Sequence, residues 1–157
     1  MTHAPVEIAP LSAALMPELA DLWVAAWTQA MPQIDFEARR PWLAAHLEGL
    51  HQQGWVTRCA LAATGALVGF VTLQPRSGEL AQIAVAPCAA RRGLGRLLLQ
   101  EARALAPGLI TLSVNQDNGH ALRFYEREGF VKTGEGVNAL SGLPTLRMEW
   151  RDALARR

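Results

Sequence analysis

Residues 83–99 read I-A-V-A-P-C-A-A-R-R-G-L-G-R-L-L-L. An apolar strand, Ile83 to Val85, stops at Pro87 and gives way to a small basic loop bearing Gly93 and Gly95, after which a leucine-rich helix begins. A helix start exposes N–H groups without intrahelical partners and carries about half a positive charge, so it attracts anions. The glycines let a ligand approach the backbone, and Arg91, Arg92 and Arg96 add positive charge. The chemistry offered is the seating of a phosphate or pyrophosphate; the same G-x-G also suits a plain tight turn between strand and helix. Two other phosphate motifs are excluded. No Gly-Lys-Ser/Thr stands at the helix start, and Leu98 occupies the third-glycine position of the dinucleotide fingerprint.

A second segment, Val114 to Phe130, reads V-N-Q-D-N-G-H-A-L-R-F-Y-E-R-E-G-F. The strand Leu109 to Val114 leads through a polar break into a short helix, with Asn118 as its expected cap. Gly129 stands where a left-handed residue ends such a helix, and Phe130 and Val131 start another strand. Ala121, Phe124, Tyr125 and Glu128 share one helical face, which is therefore buried or turned toward a ligand.

The pattern V-x-P-x-x-x-x-x-G-x-G, followed by V-x-x-x-N-x-x-A-L-x-F-Y-x-x-x-G-F, resembles the GNAT (GCN5-related N-acetyltransferase) superfamily. The likeness is greatest to its small, single-domain bacterial members, in which the strand-to-helix break reads V-N-x-x-N and the chain closes on G-x-P-x-x-x-M, here Gly142 to Met148. The resemblance implies an α+β fold: a mixed, mostly antiparallel sheet of about seven strands flanked by about four helices. The sheet is expected to splay between its fourth and fifth strands, with pantetheine in the opening. The implied activity is acetyl-CoA-dependent N-acetylation of a primary amine by direct attack in a ternary complex. The acceptor is a small molecule or, alternatively, a protein lysine or N-terminus; a CoA-binding module without turnover is the third reading. Members that acetylate ribosomal-protein N-termini carry glutamate where this chain has Ser113, which speaks against that activity.

Carried over residue by residue, the resemblance assigns the CoA pyrophosphate to the loop ending in Arg91, Arg92, Gly93, Leu94, Gly95 and Arg96. Ala90 stands where the family usually has Gln or Arg, so one side-chain contact is lost. Backbone amides of Ile83, Ala84 and Val85 are expected to bind pantetheine and the acetyl carbonyl, and a donor aimed at the developing oxyanion contributes about 3 kcal/mol. Asn118 and the helical face of Ala121 and Phe124 border the cofactor, and Arg127 either reaches the 3′-phosphate or lies on a solvated face. Tyr125 is expected to donate to the departing sulfur, or else to be a packed aromatic. Full proton transfer from a phenol near pKa 10 to a thiolate near 8.5 is uphill by about 2 kcal/mol, so a hydrogen bond describes the role better. An alkyl ammonium near pKa 10.4 costs about 4.6 kcal/mol to deprotonate at pH 7. Glu79, four residues before Ile83 and so expected on the same side of the strand, is the preferred base, beside the plainer reading of an exposed strand-start glutamate. His120 is another option. Trp23 and Trp27, one turn apart on the first helix, either wall the acceptor site or pack the core.

The elements that must position these residues follow from periodicity. Val6 to Ala9 reads as a strand, and Ser12 to Met31 as a helix from Leu15, Leu19, Leu22, Trp23, Ala26 and Ala30. A second helix starts at Pro41, since proline suits a first helical position. Val56 to Ala63 and Ala66 to Leu73 form a hairpin around Thr64-Gly65, and Glu79 to Val85 is the next strand. Helices Gly93 to Ala106 and His120 to Glu128 flank the strand Leu109 to Val114, and strands near Phe130 to Thr133 and Pro144 to Trp150 complete the chain.

Composition fits one domain over residues 1–157, long enough for one substantial core. A net charge of +1 implies no global attraction to nucleic acid or membrane. Cys59 and Cys88 are too few and too far apart for a disulfide framework or zinc site, so no metal is expected and a reducing cytoplasm is. The start M-T-H-A-P-V-E has no signal-peptide pattern, and no apolar run is long enough to span a bilayer. Family members are often dimers, so the resemblance admits a homodimer.

Overall fold

The computed structural model of the chain describes residues 5–90 and 92–153. In chain order the elements are β1 (Glu7–Pro10), α1 (Met16–Ala30), α2 (Arg40–Gln52), β2 (Val56–Leu61), β3 (Leu67–Leu73), β4 (Leu80–Val85), α3 (Leu94–Leu105), β5 (Leu109–Asn115), α4 (Gly119–Arg127), β6 (Val131–Val137) and β7 (Pro144–Arg151). The element types match those expected from periodicity, and most boundaries move by only a residue or two. The start of α1 differs more. Residues Ala13–Leu15 form a 3₁₀ turn, and Pro17, which has no N–H to donate, sits in the first turn of α1. Pro41 plays the same part in α2.

The strands form two antiparallel sheets, ordered β1-β2-β3-β4 and β5-β7-β6. They meet in parallel fashion at one point, the bridge between Glu79 and Thr111, where the Thr111 N–H donates to the Gly78 carbonyl at 3.0 Å. Beyond this join β4 and β5 diverge, so the expected splay is present. Gly78 makes the join possible. Its φ of +78° lies in the left-handed region, and a Cβ there would overlap the Leu109 carbonyl.

Two cores lie on opposite faces of the first sheet. Leu19, Trp23, Leu43, Leu47, Phe70 and Ala84 fill the side of α1 and α2. Val71, Leu73, Leu98, Leu99, Ile110 and Leu112 fill the side of α3. Strand β3 is covered on both faces, which explains its nearly unbroken apolar run L-V-G-F-V-T-L. In α3, Leu94, Leu98, Leu99 and Ala102 are buried at helical spacing. Truncating a fully buried residue such as Leu98 to alanine is expected to cost about 2–5 kcal/mol.

Two strands also differ from the sequence expectation. Strand β6 runs on to Val137, past the expected end at Thr133; Gly134, Glu135 and Gly136 are poor strand formers, and pairing with β7 overrides them. Strand β4 carries a bulge: Thr72 pairs with Gln82 but Leu73 with Leu80, so Ala81 is an extra residue. Among the described residues no helix is long and apolar enough to cross a membrane.

Candidate active site

The gap between β4 and β5 opens into a cavity of about 970 Å³. The start of α3 and the inner face of α4 bound one end, and the last turns of α1 bound the other.

At the first end the main chain supplies the polar groups. Gly93 is the N-cap of α3, with φ +75°, and the helix has no side-chain cap and no acidic residue in its first turn. The Leu97 N–H is the first to bond back, to the Gly93 carbonyl at 3.0 Å. The N–H groups of Leu94, Gly95 and Arg96 therefore have no intrahelical acceptor, the arrangement that an anion completes. Gly93 and Gly95 serve different needs. Gly93 supplies the left-handed turn, and a Cβ there would meet open space. A Cβ on Gly95 would lie 3.2 Å from the Phe124 ring, so its bareness lets α4 pack against the start of α3. Ala90, Gly93, Leu94, Gly95 and Arg96 line the cavity. Arg96 is largely exposed and 3.9 Å from Glu128, and Arg127 lines the cavity from an exposed position on α4. Arg92 is exposed and does not line it. Arg91 lies outside the described residues.

Along the side of the gap, Ile83, Ala84 and Val85 all line the cavity. The Ala86 N–H reaches back to Val68 of β3 at 2.9 Å. Successive amides of a strand alternate in direction, so those of Ile83 and Val85 point into the gap while that of Ala84 points to β3.

Helix α4 brings Asn118, Ala121, Phe124 and Tyr125 to the cavity. The Asn118 side-chain oxygen accepts the Ala121 N–H at 3.2 Å, so the residue is the expected cap. Tyr125 is 6% exposed and packs edge-on between Phe124 and Phe130. This burial holds its phenol well above the ordinary tyrosine value. The hydroxyl therefore stays protonated at working pH and is a donor, not a base.

The structure does not bring three of the expected residues to the cavity: Arg92, which is exposed, Glu79 and Trp23. Glu79 was expected on the same side of the strand as Ile83. The bulge at Ala81 breaks that alternation: Leu80 and Ile83 both pack toward α3, which leaves Glu79 on the opposite face. Its side chain is exposed beside the join of the two sheets and is not among the cavity-lining residues. Trp23 is 2% exposed, sits edge-on to Phe36 at 5.3 Å and donates its indole N–H to Gln82 at 3.3 Å, so it is a core residue. Trp27, one turn closer to the end of α1, lies 5.8 Å from Phe36 and does line the cavity. His120 also lines it, at the start of α4.

Sequence reasoning gave no site role to Gln82, Asn115, Asn138 or Arg123, all of which line the cavity. Alternation along β4 and β5 was the available signal for Gln82 and Asn115, and in β4 the bulge obscured it. No group of three or more His, Cys, Asp or Glu side chains suited to a metal occurs among the described residues.

The comparisons with known proteins agree with this geometry. The sequence profile of the acetyltransferase (GNAT) family matches residues 14–130. The chain is 31% identical over 137 residues to the peptidyl-lysine N-acetyltransferase YiaC of Escherichia coli (strain K12), covering 86% of this chain and 90% of that protein. Its fold is similar to that of the PaiA N-acetyltransferase from Thermoplasma acidophilum, solved in complex with coenzyme A (TM-score 0.76, 19% identity, 94% of this chain and 99% of that one). It is also similar to the spermidine N-acetyltransferase from Vibrio cholerae, solved with CoA and spermine (TM-score 0.70, 20% identity, 97% and 98% covered). The chain belongs to the GNAT acetyltransferase family and is an acetyl-CoA-dependent N-acetyltransferase of an amine.

Proposed function

We propose that the chain transfers the acetyl group of acetyl-CoA directly to a small molecule carrying one primary amine, within a ternary complex. The observation that carries this reading is a single cavity that joins an uncapped helix start to a neutral, aromatic wall, with a buried tyrosine beside it. The loop Ala90 to Arg96 holds the pyrophosphate through backbone N–H groups. The gap-facing amides of Ile83 and Val85 bind pantetheine and the acetyl carbonyl, and stabilise the oxyanion as the amine adds. Tyr125 donates a hydrogen bond to the departing sulfur. Neither Cys59 nor Cys88 lines the cavity, in keeping with attack by the amine rather than by an enzyme thiol.

At the acceptor end, Ala26, Trp27, Ala30, Gln82 and Ser113 are uncharged, and of the charged residues lining the cavity only Asp117 and Glu128 are acidic, which suits one amine on an apolar carrier better than a polycation. His120, and Glu79 through water, are the alternative acceptors of the ammonium proton. A second reading has specific support: YiaC, similar over most of both chains, acts on peptidyl-lysine, so a lysine side chain of a protein is the competing acceptor.

The test is free-thiol release from acetyl-CoA with a panel of alkyl monoamines, polyamines and a lysine-containing peptide. Monoamine turnover above the others is expected. Faster turnover of the peptide would transfer the assignment to protein lysine. Thiol release that no amine accelerates would remove the activity.

A further inference from the structure

Five side-chain amides border the cavity; Gln29 is exposed, and three of the other four have their oxygens committed. The Gln82 oxygen accepts the Trp23 indole N–H, the Asn118 oxygen accepts the Ala121 N–H, and the Asn138 oxygen accepts the N–H groups of Leu140 and Ser141. The fourth, Asn115 at the end of β5, is 7% exposed and its side-chain oxygen has no partner. Its amide nitrogen lies 3.1 Å from the Met31 sulfur. A thioether accepts hydrogen bonds but has none to donate, so the NH₂ must be the group that faces it, leaving the carbonyl unpaired. An unpaired buried carbonyl is costly, so this one calls for an explanation.

We infer that Asn115 positions the acceptor amine: its side-chain carbonyl turns into the cavity and accepts an N–H from the attacking nitrogen. This inference rests on the acetyl-transfer reading. Three observations support it. First, along β5, Ile110, Leu112 and Val114 pack in the core that holds Tyr125, so alternation puts Asn115 on the opposite face, toward α1. Its contact with Met31, directly after α1 and four residues beyond Trp27, agrees. The residue therefore stands at the acceptor end, away from the α3–α4 seat. Second, the oxygen is closed to solvent, but the torsion that turns a side-chain amide is soft and a weak sulfur contact is all that opposes it. Third, an attacking amine must aim its lone pair at the acetyl carbon, so its N–H bonds point backward, and an oxygen behind it fixes that aim. A neutral amide does so without favouring the unreactive ammonium, as a carboxylate would.

The experiment is two-substrate kinetics on the full chain with the amine the wild type uses best. Asn115→Ala is expected to raise the amine KM about tenfold and to leave the acetyl-CoA KM within about twofold. Asn115→Asp keeps an acceptor oxygen: the amine KM stays near wild type, and the acid limb of the pH–rate profile moves to higher pH because the carboxylate stabilises the ammonium. Met31→Leu, which removes the sulfur and leaves the amide intact, is expected to hold or lower the amine KM. An unchanged amine KM in Asn115→Ala overturns the inference. So does an equal rise in both KM values, or a rise in Met31→Leu matching that of Asn115→Ala, since either marks a structural pair. If the wild type turns over no amine, the acetyl-transfer reading itself fails and takes this inference with it.

Discussion

At the α3–α4 end of the cavity, where we propose CoA binds, most of the polar groups on offer belong to the main chain, the first amides of α3 and the gap-facing amides of β4, with the Arg96 and Arg127 side chains beside them. At the acceptor end they belong to side chains brought together from α1, β4 and β5. A backbone site needs the right conformation, which Gly93 supplies with its left-handed turn, and close packing, which the bare Gly95 allows against Phe124. A side-chain site changes with every substitution. One fold can thus keep its donor and exchange its acceptor.

The two ends share the join at Gly78, so a change there should damage both. Gly78→Ala pushes a Cβ into the Leu109 carbonyl at a left-handed φ, and an unfolding titration should show a loss of more than about 3 kcal/mol. Tyr125→Phe separates chemistry from binding: kcat should fall about 100-fold, with stabilisation by acetyl-CoA in a thermal-shift titration unchanged. The pH profile should keep its shape in that variant, because the buried phenol does not ionise in the working range. Trp27→Ala should act on the acceptor end alone, raising the amine KM by up to about tenfold while the acetyl-CoA KM holds. Asn118→Ala should cost about 1 kcal/mol of stability through the lost cap of α4, and should weaken acetyl-CoA more than the amine.

The smallest effect lies away from both ends. Burial pushes the Cys59 thiol from 9.0 up to about 11. The unfolded chain then ionises first, so the contribution of this group to stability is intact below about pH 9 and is lost as the pH rises toward 11. Cys59→Ala should flatten that decline in a stability–pH series.

The same contrast explains what could be read from the chain. The glycine-bearing, uncapped start of α3, the Asn118 cap and the placement of Tyr125 at the cavity lie in two contiguous segments where local geometry dictates residue type, and they were legible. The four α-helices and seven strands of the described residues followed from periodicity. Glu79 and Trp23 each carried two readings, and the structure shows the plainer one for a common reason: spacing predicts the face of an isolated element, not what covers it. A single extra residue, Ala81, reversed the face of Glu79, and Phe36 from the α1–α2 connection covered Trp23. Asn115 was invisible as a site residue because its meaning depends on Met31, 84 positions away.

Direct transfer in a ternary complex is tested most simply by initial rates measured at several fixed concentrations of amine while acetyl-CoA is varied. Reciprocal plots should intersect, since both ends of one cavity must be filled before the acetyl group moves. Parallel lines, with acetyl label retained on the protein in the absence of amine, would mean that an enzyme group takes the acetyl first, and would contradict direct transfer.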